Sequence, residues 1–252
     1  MNRDVRVAVF RPNDERLAEA ETLLDSLGAE PVLDPMLAVQ PTGETPRDGD
    51  YVVLTSKTGV ELAAEAGWEP DSATGIDTTI CAIGESTADA LRDVGYSVDL
   101  VPEEYSSSGL VEALEDEVEG KRVEVARSDH GSEVLMQGLA RAGADVNETV
   151  LYQLARPDDS GRSAGLAAEG ALDAAVFTSS LTVAHFLEAA GERGLREEAV
   201  AGLNDAVVGA IGEPTRETAS SEGISVDVVP EISDFEKLAC AVVEEAAPTY
   251  HG

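Results

Sequence analysis

Hydrophobic positions along the chain follow two periods that take turns. Short, continuous, β-branched runs occur at 5–10 (VRVAVF), 51–56 (YVVLTS), 79–84 (TICAIG), 97–101 (SVDLV), 122–127 (RVEVAR), 174–179 (AAVFTS), 206–212 (AVVGAIG) and 225–229 (SVDVV). Runs of this length and composition predict buried strands. Between them the apolar spacing becomes helical. Leu17, Ala20, Leu23, Leu24 and Leu27 share one face of a predicted helix, with Asn13 as its N-cap and Gly28 as its stop. Further helices are expected from Thr58, over Glu85 to Asp93, over 106–118 (SSSGLVEALEDEV) and over 132–143 (SEVLMQGLARAG). Strands alternating with helices imply parallel sheets covered by helices on both faces.

The pattern also repeats. DYVVLTSKTGV at 50–60 returns as DAAVFTSSLTV at 173–183, 123 residues on. AIGESTADALRDVGYSVDLVPE from Ala82 returns as AIGEPTRETASSEGISVDVVPE from Ala210, 128 residues on. The first segment recurs as well: Arg11 maps onto Arg127 and Pro41 onto Pro157, at an offset of 116. The growing offset places extra residues in the second copy, some of them around EAAGERGLREEAVAGL at 188–203. A unit of about 120 residues has the size of a domain rather than of a solenoid repeat. The chain therefore reads as a duplicated α/β unit, and the repeat permits either two sequential domains or domains that exchange segments.

PMLAVQP at 35–41 and TVLYQLARP at 149–157 interrupt the alternation at matched points, with Met36 opposite Tyr152. Both are proline-bounded and read as extended linkers. The stretches GETPRDGD (43–50) and PDDSGRSAG (157–165) read as solvated loops.

Composition sharpens the setting. Fifty acidic residues against 17 basic ones give a formal charge of −33, and only Lys57, Lys121 and Lys237 are lysines. Periodic apolar positions argue against disorder. The balance instead fits a solvated acidic surface in a high-salt, halophilic cytoplasm, where screening over about 3 Å at 1 M tolerates the self-repulsion. Nucleic acid is excluded as a partner on the same ground. No run reaches the ~18 apolar residues of a membrane helix, and no secretory signal is present. Cys81 and Cys240 read as reduced thiols of a cytoplasmic protein.

The candidate chemistry lies where strands end. Thr55 and Ser56 close one predicted strand and open a helix; Thr178, Ser179 and Ser180 do so in the second copy. Thr87 and Thr215 fall in the first turns of the helices after the two AIGE strings. In open parallel sheets ligands bind outside the carboxyl ends of strands, where helix starts offer unpaired N–H groups to anions. Serine and threonine also cap helices without binding anything, yet four sites in two matched pairs favour a binding role. Arg11 and Arg127 follow corresponding strands and could add positive charge. Nucleotide-binding glycine motifs, zinc spacings and nucleophile elbows are absent from the sequence, so no metal and no cofactor are expected. His130, His185 and His251 are scattered.

Taken in order, VFRP, LTSKTGV, AIGESTADAL, GYSVDLVPEEYSSSGL, LARAGADVNETVLYQ, FTSSLTVAHF and AIGEPTRETA resemble the uroporphyrinogen-III synthase family over nearly the whole chain. The resemblance implies two flavodoxin-like domains: one of residues 1–35 plus 158–252, the other of residues 42–150, joined by linkers at 36–41 and 151–157. It implies a cofactor-free monomer whose partner is the linear tetrapyrrole hydroxymethylbilane, dehydrated and closed with its last pyrrole ring inverted. Tyr152 takes the family's tyrosine position, as acid toward the departing hydroxyl; Ser56, Thr87, Ser179 and Thr215 take its hydroxyl positions. Gln153 stands where arginine often follows that tyrosine. The rival reading is a two-lobed, noncatalytic protein that binds an anionic small molecule.

Overall fold

The computed structural model describes residues 5–70 and 78–247. In chain order its elements are β1 (Val5–Val9), α1 (Glu15–Ser26), β2 (Ala29–Leu33), β3 (Ala38–Pro41), β4 (Tyr51–Leu54), α2 (Lys57–Glu65), β5 (Thr79–Ala82), α3 (Glu85–Asp93), α4 (Ser107–Leu114), β6 (Arg122–Ser128), α5 (Glu133–Arg141), β7 (Asp145–Ala155), α6 (Arg162–Ala168), β8 (Ala174–Phe177), α7 (Ser180–Glu192), α8 (Arg196–Asn204), β9 (Val207–Ala210), α9 (Glu213–Ser221) and α10 (Phe235–Ala246). Contacts divide the chain into two compact units, Met1–Ala38 with Ala155–Gly252, and Val39–Leu154.

In the first unit the sheet runs β2-β1-β8-β9, with Val228 bridging in parallel to Gly209 beyond β9. In the second it runs β3-β7-β6-β4-β5, with Leu100 bridging in parallel to Cys81 beyond β5. Matching each strand to its repeat partner gives the same order twice, the flavodoxin-type 2-1-3-4-5, with β3 added at one edge of the second sheet. The likeness extends to single bonds. Asp50 accepts from the Arg122 N–H at 2.8 Å, and its repeat partner Asp173 accepts from the Arg6 N–H at 2.9 Å. Asp99 and Asp227 likewise accept from the Ile80 and Val208 N–H groups, each at 2.8 Å.

Both faces of each sheet are packed, as parallel sheets require. In the first unit Phe10 and Phe177 stack at 4.6 Å and meet Phe186 of α7, all three with no exposed surface. Burial of each such ring is worth about 1.5–3 kcal/mol. The opposite face holds Leu17, Leu24, Leu238 and Val242 of α1 and α10. In the second unit α2 and α3 cover one face through Val60, Ala63, Ala88 and Leu91, and α4 and α5 cover the other through Leu110, Leu114, Leu135 and Leu139. Among the described residues no helix is long and apolar enough to cross a membrane.

Several expectations need correction. The stretches read as extended linkers are extended, and they also pair as strands: residues 38–41 form β3, and 151–155 complete the 11-residue β7, whose ladder to β6 reaches Tyr152. SVDLV and SVDVV contribute single bridges rather than full strands, while β2 went unpredicted because Glu30 and Pro31 break its apolar run. Asp14, not Asn13, caps α1: its carboxylate accepts from the Arg16 N–H at 3.0 Å. PDDSGRSAG is not a solvated loop, since Ser160, Ser163 and Ala164 are buried and α6 begins inside it. The two breaks in the repeat offset correspond to α6 and to the region of α8, and these helices pack together. Gly202 makes that approach feasible, because a Cβ there would lie 1.8 Å from the Ala167 carbonyl oxygen.

Glu124 of β6 is a buried carboxyl, hydrogen-bonded by Thr149 of β7. Burial raises its pKa from the usual value, against the opposing pull of the Thr149 bond and of Arg47. A carboxyl raised on folding carries stability that is present below its unfolded pKa and lost as pH rises through its folded one. Glu124→Gln should therefore raise the melting midpoint at pH 7, and the gain should vanish in acid. Melting curves across pH check this; a lower midpoint at neutral pH would contradict it.

Candidate functional site

The hydroxyl-bearing residues collect at the carboxyl ends of the parallel strands, where the chain turns into helices. In the second unit, Thr55 follows β4 and Ser56 caps α2, its Oγ accepting from the Gly59 N–H at 3.0 Å. The Tyr152 hydroxyl donates to the same Oγ at 3.0 Å, across 96 residues of sequence. Two hydroxyls joined by one hydrogen bond hold two protons and use one between them, so one is left for a third group.

The strand geometry explains how Tyr152 reaches this place. Arg127 pairs with Val150 but the next residue, Ser128, pairs with Tyr152, so Leu151 is an extra residue on β7. In an unbroken strand consecutive side chains point to opposite faces. This bulge lets Leu151 and Tyr152 both join the apolar cluster beneath α2 and α3. Gly59 opens the space: a Cβ there would stand 3.2 Å from Leu151 Cδ1 and 3.9 Å from Tyr152 Cε1. Beyond the bulge Asp129 clasps β7, its N–H donating to the Tyr152 carbonyl at 3.2 Å and its carboxylate accepting from the Leu154 N–H at 3.0 Å. Burial pulls the Asp129 pKa upward, but the bonds from His130, 2.9 Å away, and from Leu154 leave it below the usual carboxylate value.

Thr87, in the first turn of α3, is 4% exposed. Its helix begins at Gly84, which offers no side-chain cap, so the first-turn N–H groups lack a side-chain acceptor. The first unit repeats the device. Ser179 caps α7 in a capping box with Thr182, α9 begins at the uncapped Gly212, and Thr215 is again 4% exposed. Gly59 and Thr182 are repeat partners: where one unit completes a capping box, the other makes room for the tyrosine. Met36, opposite Tyr152 in the repeat, is fully buried, and its carbonyl meets His185 Nδ1 at 2.5 Å.

Three expected binding residues are differently placed. Arg127 is 4% exposed and held by Glu148 at 2.5 Å, Glu133 at 2.8 Å and the Ser132 carbonyl at 2.8 Å. Burial alone would lower its pKa; the two carboxylates more than offset this and raise it. Its charge is thus neutralised within its own unit, a structural role. The Ser180 hydroxyl donates to the Pro214 carbonyl at 3.1 Å and accepts from Thr218 at 2.8 Å, which ties α7 to α9. Arg11 lies 4.3 Å over the Phe235 ring, its pKa lowered by burial and then by Arg16. Cys81 is a buried thiol pushed up to about 12 by burial, then by Asp99 and Glu117, and so is unreactive.

The roles of Gly59, Asp129 and the β7 bulge were not read from the sequence. Gly59 had a signal, as the one residue of the duplicated string that exchanges a side chain for none beside the helix cap.

The family model for uroporphyrinogen-III synthase HemD matches residues 18–240. A relative from Methanothermobacter thermautotrophicus, named provisionally as uroporphyrinogen-III synthase, is 33% identical over 89% of this chain and 92% of its own length. The uroporphyrinogen-III synthase of Chlorobaculum parvum is 29% identical over 66% of each chain. Among solved structures, a mutant uroporphyrinogen III synthase from Thermus thermophilus superposes with a TM-score of 0.66 at 20% identity, covering 96% of this chain and 98% of its own. The enzyme of Helicobacter pylori gives 0.58 at 15% identity, over 98% of this chain and all of its own. With the strand order and the paired hydroxyls already in place, the chain belongs to the uroporphyrinogen-III synthase family.

Proposed function

We propose that this protein is a uroporphyrinogen-III synthase, a lyase that removes water from hydroxymethylbilane and closes the tetrapyrrole with its last ring inverted, its two compact units serving as its two domains. The observation that carries the reading is the Tyr152 hydroxyl held 3.0 Å from Ser56 Oγ at the carboxyl end of the second sheet. The terminal hydroxyl of the substrate leaves as water once its oxygen receives a proton. The carbon left behind becomes an azafulvene cation, electrophilic enough for attack by the substituted carbon of the last pyrrole, which gives a spirocyclic intermediate. As Ser56 gives its free proton to the departing oxygen it takes the proton that Tyr152 donates, so Tyr152 is the acid acting through Ser56, and a positioned acid lowers that barrier. The substrate's carboxylates suit the N–H groups at the starts of α2, α3, α7 and α9, where the helix dipole adds a partial positive charge. Local donors of this kind act at contact distance and do not depend on the long-range field of a protein with formal charge −33.

Product analysis tests the reading. Hydroxymethylbilane should be converted to uroporphyrinogen III without added metal or cofactor, in buffer of molar salt. If only the uninverted isomer forms, at the rate seen without protein, the assignment fails. The noncatalytic alternative would then gain from tight product binding without turnover.

A further inference from the structure

Among the described residues four large apolar side chains are exposed: Val94, Tyr105, Val134 and Ile232. Two of them occupy the same loop of the repeat. VPEEYS at 101–106 and VPEISD at 229–234 align at the offset of 128, which puts Tyr105 and Ile232 at neighbouring positions of equivalent loops. Tyr105 is 64% exposed and Ile232 60%. Both loops lie over a helix start. A Cβ built on Gly84 would stand 3.1 Å from Tyr105 Cβ and Cγ, and one built on Gly212 would stand 3.3 Å from Ser233 Oγ. These glycines begin α3 and α9, which, like α6 and α8, receive no side-chain bond from their own N-cap residue. They also carry Thr87 and Thr215, both nine-tenths buried, whose hydroxyls bond to no other described residue.

Single exposed apolar residues are commonplace and mean little. In the second unit an exposed aromatic side chain, open helix N–H groups and an unpartnered threonine hydroxyl meet at one helix start; in the first, the loop that carries Ile232 lies over the equivalent start through Ser233. A flat ring bearing acidic substituents answers all three at once. The ring face covers the side chain and the carboxylate meets the N–H and hydroxyl donors. Building on the synthase reading above, we infer that Tyr105 and Ile232 are substrate-contacting residues, each giving a pyrrole ring an apolar face beside a helix start that takes that ring's carboxylate.

The test uses Tyr105→Ala, Ile232→Ala, the double variant and Tyr105→Phe, with steady-state kinetics on hydroxymethylbilane and fluorescence titration with uroporphyrin, which requires no turnover. Each alanine should raise KM and the uroporphyrin Kd about 3- to 10-fold, as expected for lost ring contacts. Turnover number and isomer ratio should stay within about twofold, because such contacts act alike on ground and transition states. Tyr105→Phe should restore the wild-type values. If Tyr105 merely shields Gly84, the alanine lowers the melting midpoint and leaves KM and Kd unchanged, which overturns the inference; unchanged constants in the double variant overturn it for both loops. A wild-type protein that forms no uroporphyrinogen III would sink the functional reading instead, and the titration would still report on these two side chains.

Discussion

Tyr152→Phe should lower the rate of uroporphyrinogen III formation by roughly 10²- to 10⁴-fold, the span expected when a general acid is removed. The substitution leaves the ring among its neighbours beneath α2, where Tyr152 is 7% exposed. It deletes only the oxygen that meets Ser56 at 3.0 Å. Ser56 keeps its bond from the Gly59 N–H, so the cap of α2 survives and stability should fall by only about 0.5–1.5 kcal/mol. KM should change little, because the lost interaction belongs to the transition state. Hydroxymethylbilane that escapes the enzyme closes to the uninverted ring, so that isomer should accumulate. Met36→Leu, at the repeat-equivalent position, serves as control and should leave the isomer ratio alone. Chromatographic separation of the two isomers reads the result, and full activity in Tyr152→Phe would remove its acid role. Ser56→Ala should also reduce the rate, at a further cost of about 1 kcal/mol for the lost helix cap.

What the sequence made legible follows from what a repeat can show. Matching strings in the same order placed Ser56, Thr87, Ser179 and Thr215 at helix starts, because capping and strand-end positions depend on local residues alone. The tyrosine could be singled out, but not its route to the site. That route depends on a one-residue slip between β6 and β7, a property of pairing that a strand's own sequence does not state. Arg127 misled for a related reason. A basic residue after a strand resembles a ligand-binding charge until its neighbours are known, and Glu133 and Glu148 come from α5 and β7. In the two proline-bounded stretches extended backbone finds partners that the local sequence does not state: the Thr42 N–H donates to the Leu151 carbonyl at 3.0 Å, beside the pairing of β3 with β7. Pro41 closes β3, and a proline at a strand end leaves the ladder intact.

The second large effect is expected at Asp34, 3% exposed just after β2. Its carboxylate accepts from the Gly161 N–H at 2.8 Å, from the Ser163 N–H at 2.7 Å and from the Ser163 hydroxyl. It thereby supplies the cap that the start of α6 cannot supply for itself, since Gly161 has no side chain and sits at φ 96°. Asp34→Ala strands buried donors, each at a cost of about 1–3 kcal/mol. The sum should be about 3 kcal/mol, and the melting midpoint should fall by about 6–12 °C for a chain of this size. Asp34→Asn retains one acceptor and should fall between the two. Ser163→Ala should cost less in the Asp34→Ala background than in the wild type, because the two changes remove one shared interaction. The Tyr152–Ser56 pair lies in the other unit, so protein that remains folded should keep its isomer ratio. A shift below about 2 °C in Asp34→Ala would show that α6 holds its place through its packing on α8 alone. The buried carboxylate would then be a consequence of that packing rather than its support.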